Sequence, residues 1–215
     1  MEVKNDKQLN SITLNSLNCS VGNKIILSNI NFTAEKGEVI LITGPNGIGK
    51  STLLKTILGL LPILKGQISI NQEDYTTDPS TRQEQLNFIG HKNALQGDFT
   101  ILENLSYWQS FFSSTKTDIL KLMEFWDLPN IRLSNCSEGQ KKKTALARLS
   151  IIGRSIWLLD EPTANLDILG QKKLKQLLES HSVTGGISII STHNPKLFEK
   201  GKVIELSRYR PEESC

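Results

Sequence analysis

A glycine-rich loop that ends in a lysine and two hydroxyl residues gives the sequence its clearest chemical signal. It reads GPNGIGKS from residue 44 to residue 51 and matches the pattern G-x-x-x-x-G-K-S. Glycines let the backbone wrap around phosphate oxygens, and the N–H groups at the start of a following helix attract anions. We expect Lys50 to reach the β- and γ-phosphates of a nucleotide and the Ser51 hydroxyl to hold Mg²⁺. The predicted nucleotide-binding residues are Gly44, Pro45, Asn46, Gly47, Ile48, Gly49, Lys50, Ser51 and Thr52.

A chance glycine-rich turn is the alternative interpretation of this loop. The apolar run EVILIT, residues 38–43, directly precedes the loop and is typical of a strand buried on both faces. The segment KSTLLKTILGL follows it with helical spacing and ends near a glycine and a proline. Because a phosphate loop requires a strand before it and a helix after it, this context favours a nucleoside triphosphate site.

Two adjacent carboxylates end a second apolar run. IWLLDEP, residues 156–162, predicts a buried strand followed by Asp160 and Glu161. An aspartate in this position beside a phosphate loop can bind Mg²⁺ through water, so Ser51 and Asp160 are the predicted metal ligands. Glu161 is then placed to act as general base toward the water that attacks the γ-phosphate. An acidic pair that only caps a turn is the alternative, and the phosphate loop makes it the weaker one.

The elements that must position these residues alternate between strand and helix patterns. The predicted strands are 12–17, 25–32, 38–43, 68–70, 86–89, 156–159, 187–191 and 203–206, and the predicted helices begin near 50, 141 and 169. Residues 101–128 also have helical spacing. We therefore predict an α/β fold: a P-loop NTPase core with a mainly parallel sheet, an antiparallel N-terminal β part and a helical subdomain inserted at about 92–152. A single domain is expected over 11–206, with tails at 1–10 and 207–215.

Composition excludes several classes of protein. The formal charge of +3 over 215 residues is too small to indicate a nucleic-acid partner. The densest basic segment, residues 141–143, is expected to be a solvated helix face, with weak attraction to an anionic membrane as the alternative. The three cysteines lack metal-ligand spacing and predict free thiols in a reducing compartment. No apolar run approaches the roughly 20 residues of a membrane-spanning helix, so work at a membrane would require a partner.

Three further motifs make the sequence resemble the ATP-binding cassette (ABC) ATPases from about residue 11 to residue 206. CSEGQ, followed by KKKTALARL, is similar to the LSGGQ signature of that family. NLD, residues 165–167, resembles the loop that crosses the dimer interface, and STH, residues 191–193, resembles the segment with the switch histidine. All stand in the order expected relative to the phosphate loop and LLDEP.

The resemblance implies a head-to-tail homodimer with two ATP molecules and Mg²⁺ at its interface. Each ATP would be held by the phosphate loop of one subunit and the signature of the other, so that ATP closes the dimer and hydrolysis releases it. His193 would contact the γ-phosphate and position the attacking water beside Glu161. The signature residues acting in trans would be Ser137, Glu138, Gly139 and Gln140, and the interface loop Asn165, Leu166 and Asp167.

Three positions depart from the family pattern. Glu138 replaces the first signature glycine and brings a negative charge near the docking phosphate, which would weaken closure unless the side chain turns to solvent or pairs with a neighbouring lysine. Cys136 replaces leucine and keeps a small apolar group. Val21 stands where many relatives stack an aromatic ring on adenine, so stacking and base selectivity are expected to be weak.

His91 narrows the resemblance to one branch of the family. It lies twelve residues before Glu103, where most ABC ATPases carry a glutamine. The sequence IGH at that point, together with GGISIISTH, resembles the heme-exporter ATP-binding subunits of cytochrome c biogenesis. The resemblance implies an ATP-hydrolysing subunit that powers heme export or heme-carrier release, at the cytoplasmic face of the inner membrane or the matrix side of an organelle. Its partners would be integral membrane subunits, with His91 in the loop that couples them to nucleotide.

Alternatives remain at this stage. The chain could be the ATPase of another small exporter, a non-transport ABC protein acting on DNA or ribosomes, or a nucleotide-binding module with little hydrolysis. Glu161 and His193 argue against the last of these. The aromatic residues that follow His91 are expected to form mainly the core of the helical subdomain, with Phe99 alone facing a membrane partner; the stripe comprises Phe99, Tyr107, Trp108 and Phe111.

Overall fold

The computed structural model describes residues 11–112, 117–198 and 200–211, and within these ranges it contains two β-sheets. The first is antiparallel, with the strand order β2-β1-β4-β5. Its strands are β1 (Ser11–Val21), β2 (Lys24–Glu35), β4 (Ile63–Ile70) and β5 (Glu73–Asp74). The second is parallel, with the order β6-β7-β8-β3-β9. Its strands are β3 (Val39–Thr43), β6 (Leu86–Ile89), β7 (Ile156–Asp160), β8 (Ile187–Ser191) and β9 (Lys202–Glu205).

Six α-helices lie in the described ranges. They are α1 (Lys50–Leu58), α2 (Pro79–Gln85), α3 (Ile101–Phe112), α4 (Ile119–Phe125), α5 (Glu138–Ile151) and α6 (Ile168–Val183). Short 3₁₀ turns add Leu133–Asn135, Pro195–Leu197 and Leu206–Tyr209. The helices α3, α4 and α5 all lie between β6 and β7 and form the helical part that the sequence predicts. No helix in these ranges is both long and apolar enough to cross a membrane.

The inner strand β3, between β8 and β9, separates two hydrophobic cores because its side chains alternate between the faces of the sheet. Ile40 and Ile42 face the core that contains α1 and the antiparallel sheet. Leu41 faces the other core, where the parallel sheet packs on α5 and α6. All three side chains are buried, as expected of a strand covered on both sides. The predicted α/β class with a mainly parallel sheet and an antiparallel N-terminal part is confirmed.

Several boundaries differ from the sequence prediction. The helical pattern over 101–128 resolves into α3 and α4, with residues 113–116 outside the described ranges. Helix α5 begins at Glu138, three residues earlier than predicted, because Ser137 caps its first turn. Helix α2 was not predicted because its sequence, PSTRQEQ, is polar and buries only Arg82. The first predicted tail, residues 1–10, lies outside the described ranges.

Candidate nucleotide-hydrolysis site

The phosphate loop lies between β3 and the N-terminus of α1, at the carboxyl edge of the parallel sheet. Gly44 and Gly49 have φ values of 138° and 115°, which strongly favour glycine. A Cβ on Gly49 would stand 2.9 Å from a methyl group of Ile26, so the loop packs closely against β2. Ile48 is buried beneath the loop while Asn46 and Gly47 are exposed. The loop therefore exposes backbone to solvent at Asn46 and Gly47, while the buried Ile48 side chain anchors it to the core.

Lys50 occupies the centre of this site and is buried, with 7% of its surface exposed. Its Nζ donates to the carbonyl oxygens of Gly44 at 3.0 Å and Pro45 at 3.4 Å. The same Nζ lies 3.2 Å from His193 Nε2 and 3.8 Å from Glu161 Oε1. The structure thus brings together three residues that lie more than 30 positions apart in the sequence. A phosphate that enters the loop could replace the two carbonyl oxygens as hydrogen-bond acceptor of the Lys50 ammonium group.

Glu161 and Asp160 follow one another at the end of β7 and have different surroundings. Asp160 is buried and accepts a hydrogen bond from Ser191 Oγ at 2.7 Å. The backbone N–H of Glu161 donates to the same Ser191 Oγ at 2.9 Å, so Ser191 holds the Asp160 carboxylate and the Glu161 backbone relative to β8. Glu161 has a φ of 45°, a conformation that non-glycine residues adopt at a cost, often at functional sites.

The carboxylate of Glu161 retains an oxygen that can take part in chemistry. Its Oε1 lies 3.1 Å from His193 Nε2, but no aligned hydrogen bond reaches this buried oxygen from any described residue. A buried acceptor without a donor is unusual and costs free energy. The oxygen can therefore accept a proton from a water placed between Glu161 and a phosphate.

Ser51 and Asp160 supply the kind of donors that Mg²⁺ prefers. Both offer oxygen atoms, Ser51 from the first turn of α1 and Asp160 from the end of β7. Magnesium is usually held by one or two protein oxygens together with phosphate oxygens and waters. The donor set therefore fits Mg²⁺ brought in with a nucleotide.

The signature residues form the N-terminus of α5 and carry a complete capping box. Ser137 Oγ accepts from the N–H of Gln140 at 3.2 Å, and Gln140 Oε1 accepts from the N–H of Ser137 at 2.9 Å. Cys136, just before them, is buried as a small apolar residue. No hydrogen bond or ion pair among the described residues joins this helix end to the phosphate loop. Within one chain, therefore, no such contact links the signature to the phosphate loop.

Glu138 pairs with a lysine on its own helix. Its Oε1 lies 2.8 Å from Lys141 Nζ, with about two-thirds of the Glu138 side chain still exposed. Of the expected outcomes for this replaced glycine, the structure combines two, because the side chain both faces solvent and pairs with a neighbouring lysine. The pair partly neutralises the added charge at the helix N-terminus.

The interface loop is attached directly to the signature helix. The carbonyl oxygen of Asn165 lies 2.9 Å from where a Cβ on Gly139 would stand, so only glycine fits there. Lys143 Nζ lies 3.2 Å from Asp167 Oδ1, and Asp167 caps α6 by accepting from the N–H of Gly170 at 2.7 Å. These hydrogen bonds, first that from Gly170, lower the pKa of Asp167. Leu166, between them, is buried. Signature and interface loop therefore form one unit.

The prediction of a solvated lysine face at residues 141–143 is wrong for two of the three lysines. Lys142 and Lys143 are buried, with 4% and 9% of their surfaces exposed, because they belong to a stretch of α5, residues 142–149, that is buried on every side. Burial lowers the pKa of Lys142 to about 8, while the nearby carboxylates Asp160 and Glu161 oppose that shift. The helical period does not reveal this, since Lys141, which is only partly buried, also lies one turn before a buried residue, Ala145.

His91 lies apart from the cluster around Lys50. It is exposed, and no hydrogen bond or ion pair from a described residue reaches it. Strand β6 runs parallel to β7 with Ile89 opposite Leu159, so His91 leaves the sheet at the same edge as the two carboxylates. Val21 is 52% exposed at the turn between β1 and β2.

The aromatic residues of the helical part are more exposed than the sequence predicts. Tyr107 and Phe111 are 44% and 66% exposed, and the Tyr107 ring contacts the rings of both Phe111 and Phe99. Phe99 is also exposed, as predicted. The expectation that Tyr107 and Phe111 belong to the subdomain core is therefore wrong. Helix α3 buries only the side that carries Ile101 and Leu105.

Comparison with known proteins places this geometry in context. The family model described as "ABC transporter" matches residues 27–164. The chain is 37% identical to the "Cytochrome c biogenesis ATP-binding export protein CcmA" of Nitrobacter winogradskyi, over 84% of this chain and 90% of that protein. The protein of the same name from Cereibacter sphaeroides is 31% identical, over 94% of this chain and 91% of that protein.

Solved structures share the fold across almost the entire chain. A putative ABC transporter ATP-binding protein from Pyrococcus furiosus superimposes with a TM-score of 0.81 at 26% identity, covering 94% of this chain and 100% of that one. A dimeric ATP-binding cassette in a post-hydrolysis state with ADP and Pi superimposes with a TM-score of 0.76 at 25% identity, covering 91% and 94%.

Proposed function

Because this chain belongs to the ABC transporter family and is an ATP-hydrolysing ABC ATPase, we propose that it powers heme export or heme-carrier release in cytochrome c maturation. The observation that carries this proposal is the similarity to export proteins of cytochrome c biogenesis, at 31–37% identity over more than four-fifths of this chain. The ATPase of another small exporter is the second candidate, because an ATPase domain contains no site for the transported molecule.

The proposed mechanism begins with phosphate capture at the loop 44–51. A triphosphate takes the place of the Gly44 and Pro45 carbonyls around Lys50, whose ammonium then neutralises the β- and γ-phosphates. The exposed N–H groups of the loop and of the first turn of α1 bind the remaining oxygens. Mg²⁺, held by Ser51 and Asp160, would neutralise further phosphate charge when bound.

Hydrolysis in this proposal uses the cluster around Lys50. Glu161 accepts a proton from the attacking water through the oxygen that no aligned hydrogen bond occupies. His193, 3.1 Å from Glu161, contacts the γ-phosphate and holds that water in line. The buried Lys142 ammonium lies near Asp160 and Glu161, and its positive charge stabilises their negative charges electrostatically.

A second copy of the chain completes the site in this proposal. The Ser137 hydroxyl and the N–H of Gly139 on the partner would bind the γ-phosphate from the opposite side. The contact between Gly139 and Asn165 and the Lys143–Asp167 pair join the signature to the interface loop. In this proposal, a movement of the signature when the dimer closes or opens at one nucleotide also moves the interface loop, which joins it to the second nucleotide site.

Membrane subunits are the proposed partners, with this chain bound peripherally at the cytoplasmic face of the inner membrane or the matrix side of an organelle. His91 is proposed to couple nucleotide state to them, because it leaves the sheet beside the carboxylates while its side chain is exposed.

The test is a complementation experiment in a host that lacks its own copy of this subunit. The wild-type chain should restore covalently heme-bound cytochrome c, and an affinity tag on the chain should recover membrane subunits. The Glu161→Gln variant should recover the same subunits without restoring the cytochrome. Recovery of membrane subunits with no effect on cytochrome c by the wild type would favour another exporter.

A further inference from the structure

A groove of about 440 Å³ lies between strand β2 and the segment that follows β9. Strand β2 contributes Ile25 and Ser28, and the segment after β9 contributes Arg208, Tyr209 and Arg210. Ser28 and Tyr209 are half-buried, whereas both arginines are exposed. Sites for small molecules usually have volumes of about 300–1,000 Å³. The groove is therefore large enough to hold a small ligand or a part of one.

Both walls of the groove begin beside the phosphate loop. On β2, the groove starts one residue before Ile26, whose methyl group lies 2.9 Å from where a Cβ on Gly49 would stand. On the other wall, the chain leaves β9 at Glu205, whose Oε1 lies 3.2 Å from where a Cβ on Gly44 would stand. The two arginines follow within five residues of Glu205. The sugar and base of a nucleotide whose phosphates occupy the loop can therefore extend toward this groove.

The lining of the groove is positively charged. No carboxylate belongs to it, and no ion pair among the described residues involves Arg208 or Arg210. The hydrogen bond from the Ser207 side chain lowers the pKa of Glu205, and attraction by Arg208 contributes to that shift. Arg208 is thus already attracted to a carboxylate, whereas Arg210 faces none among the described residues. The guanidinium of Arg210 is therefore the group that a ligand in the groove would meet.

A guanidinium suits the base of a nucleotide because it is planar and stacks on aromatic rings. Nucleobases stack on arginine side chains as they do on aromatic ones. Val21 stands where many ABC ATPases stack an aromatic ring on adenine, and its side chain, which is 52% exposed, has no flat face. The groove thus offers a stacking group at the end of β2 where the usual one is missing.

We propose that the Arg210 guanidinium stacks on the base of the bound nucleoside triphosphate and takes the place of the aromatic ring that Val21 lacks. This inference rests on the phosphate capture proposed for the loop 44–51. Every nucleobase presents a flat face, so stacking strengthens binding without selecting one base. Arg210 would therefore support ATP and GTP alike, which agrees with the weak base selectivity expected from Val21. The alternative is that its charge only attracts the triphosphate.

Steady-state hydrolysis by the purified full chain tests the stacking role. Arg210→Ala should raise the KM for ATP and for GTP by about five- to tenfold and leave kcat unchanged, because it removes an interaction that the ground state and the transition state share. Arg210→Lys keeps the charge but loses the planar group, so it should restore little of the affinity. The control Arg132→Ala, which removes an exposed arginine from the helical part, should behave as wild type.

Inorganic tripolyphosphate separates contacts to the base from contacts to the phosphates. It has the phosphates of ATP without a base, and it should inhibit the wild type and Arg210→Ala at the same concentration. Equal weakening of tripolyphosphate and ATP in Arg210→Ala, or a wild-type KM in Arg210→Lys, would show that the arginine acts by charge and would overturn the inference. An unchanged KM in Arg210→Ala would overturn it as well. If tripolyphosphate does not compete with ATP in the wild type, the proposed phosphate capture fails instead.

Photolabelling locates the base directly. The azide of 8-azido-ATP is attached to the base, so on illumination it reacts with residues that lie beside the base. Mass spectrometry of the labelled wild-type chain should find the adduct within residues 25–29 or 208–211, the two walls of the groove. Adducts found only outside these two segments would contradict the proposed position of the base.

Discussion

Single side chains set the chemistry of the site, and Lys50 illustrates how. Its Nζ is shared among two loop carbonyls and His193, with Glu161 slightly farther away. A phosphate must exchange with these contacts, and it offers the ammonium an ionised acceptor where the loop carbonyls are neutral. Glu161 is left with a free oxygen once that exchange takes place. The role of each residue in the cluster can therefore be tested by its own substitution.

Glu161→Gln should separate nucleotide binding from hydrolysis. The amide has the same shape but cannot accept the proton of water, so phosphate release should fall by about a hundredfold or more. ATP should then hold two copies of the chain together, and light scattering would detect the dimer. The exposed Glu124→Gln on α4 serves as control and should hydrolyse ATP normally. A Glu161→Gln variant that stays monomeric in ATP would contradict the composite site.

Glu138→Gln should make ATP-driven dimerisation easier. A carboxylate at the first position of α5 opposes an incoming phosphate and offsets the positive end of the helix dipole. Its removal also frees Lys141, which now lies 2.8 Å away. We expect the ATP concentration for half-maximal dimerisation, measured in a Glu161→Gln background, to fall by about two- to fivefold at low salt.

Salt provides the control for that prediction, because screening should remove most of the difference at about 1 M ionic strength. An unchanged ATP requirement at low salt would show that the Glu138–Lys141 pair already cancels the charge.

The loops and lysines of the site differ in how far the sequence reveals them. GPNGIGKS and LLDEP are predictable because their chemistry is local, and their positions follow from the flanking strand and helix. The burial of Lys142 and Lys143 is not predictable from three consecutive lysines, because it depends on the elements that surround α5 on every side. The exposure of Tyr107 and Phe111 was missed because it depends on what packs against α3, which no local pattern contains.

At the scale of elements, the contact between α6 and the parallel sheet contains a titratable group. His181, near the end of α6, stacks on Trp157 of β7 with ring centres 3.6 Å apart and planes 7° from parallel. A Cβ on Gly186 would fall 2.1 Å from the His181 ring, so the turn before β8 closes over it. Burial lowers the pKa of His181 from 6.5 to about 4. The folded protein therefore holds this imidazole neutral.

Acid should weaken that contact. Since the unfolded chain takes up a proton near pH 6.5 and the folded chain only near pH 4, stability is fully present above 6.5 and is lost as pH falls toward 4. Between about pH 7.5 and about pH 5, His181 should cost the wild type about 2 kcal/mol in the free energy of unfolding. Urea titrations at both pH values would measure it. His181→Leu should lose correspondingly less, and equal losses in both proteins would contradict the assignment.

The loop between β6 and α3 should act on coupling rather than on catalysis. His91 contacts none of Lys50, Glu161 or His193, so His91→Ala should leave the ATPase rate of the isolated chain within about twofold of wild type. Stimulation by the membrane subunits should fall, because the exposed ring is proposed to report nucleotide state to them. His91→Gln should show whether the imidazole itself sets the pH profile of coupled turnover. Both variants behaving as wild type in the complex would refute the coupling role.

At the scale of the whole molecule, the proposed dimer requires that the signature and the phosphate loop of one chain bind different nucleotides. Lys50→Ala removes the phosphate contact that the loop of the same chain makes. Ser137→Asp keeps the helix cap but places a negative charge where the partner's phosphate would dock. Each variant alone, in a Glu161→Gln background, should remain monomeric in ATP.

Mixing the two variants should form heterodimers, because one of their two sites then has an intact loop and an intact signature. Light scattering should detect the dimer, and nucleotide analysis should find about one ATP in it rather than two. If each site were complete within one chain, mixing would change nothing.

The order of the strands is the part of the fold that the sequence could least reveal. The five strands of the parallel sheet and most of their limits are predictable, since alternation and apolar runs are local properties, whereas the short β5 was not predicted. The order β6-β7-β8-β3-β9 depends instead on pairings such as Val39 with Ser188 and Ile40 with Lys202. Those pairings join residues about 150 or more positions apart, and nothing in either segment specifies its neighbour.

That order has a consequence for synthesis on the ribosome. Both sheet neighbours of β3, the strand that carries the phosphate loop, are made last. At about 5–20 residues per second, β3 waits roughly 7–30 s for β8. The antiparallel strands β1, β2 and β4 can pair during that time, but the loop has no sheet to hold it. A nascent chain that already contains the loop and both carboxylates therefore cannot consume ATP, and translation that stops before β8 yields a product with every motif up to LLDEP and no enzyme.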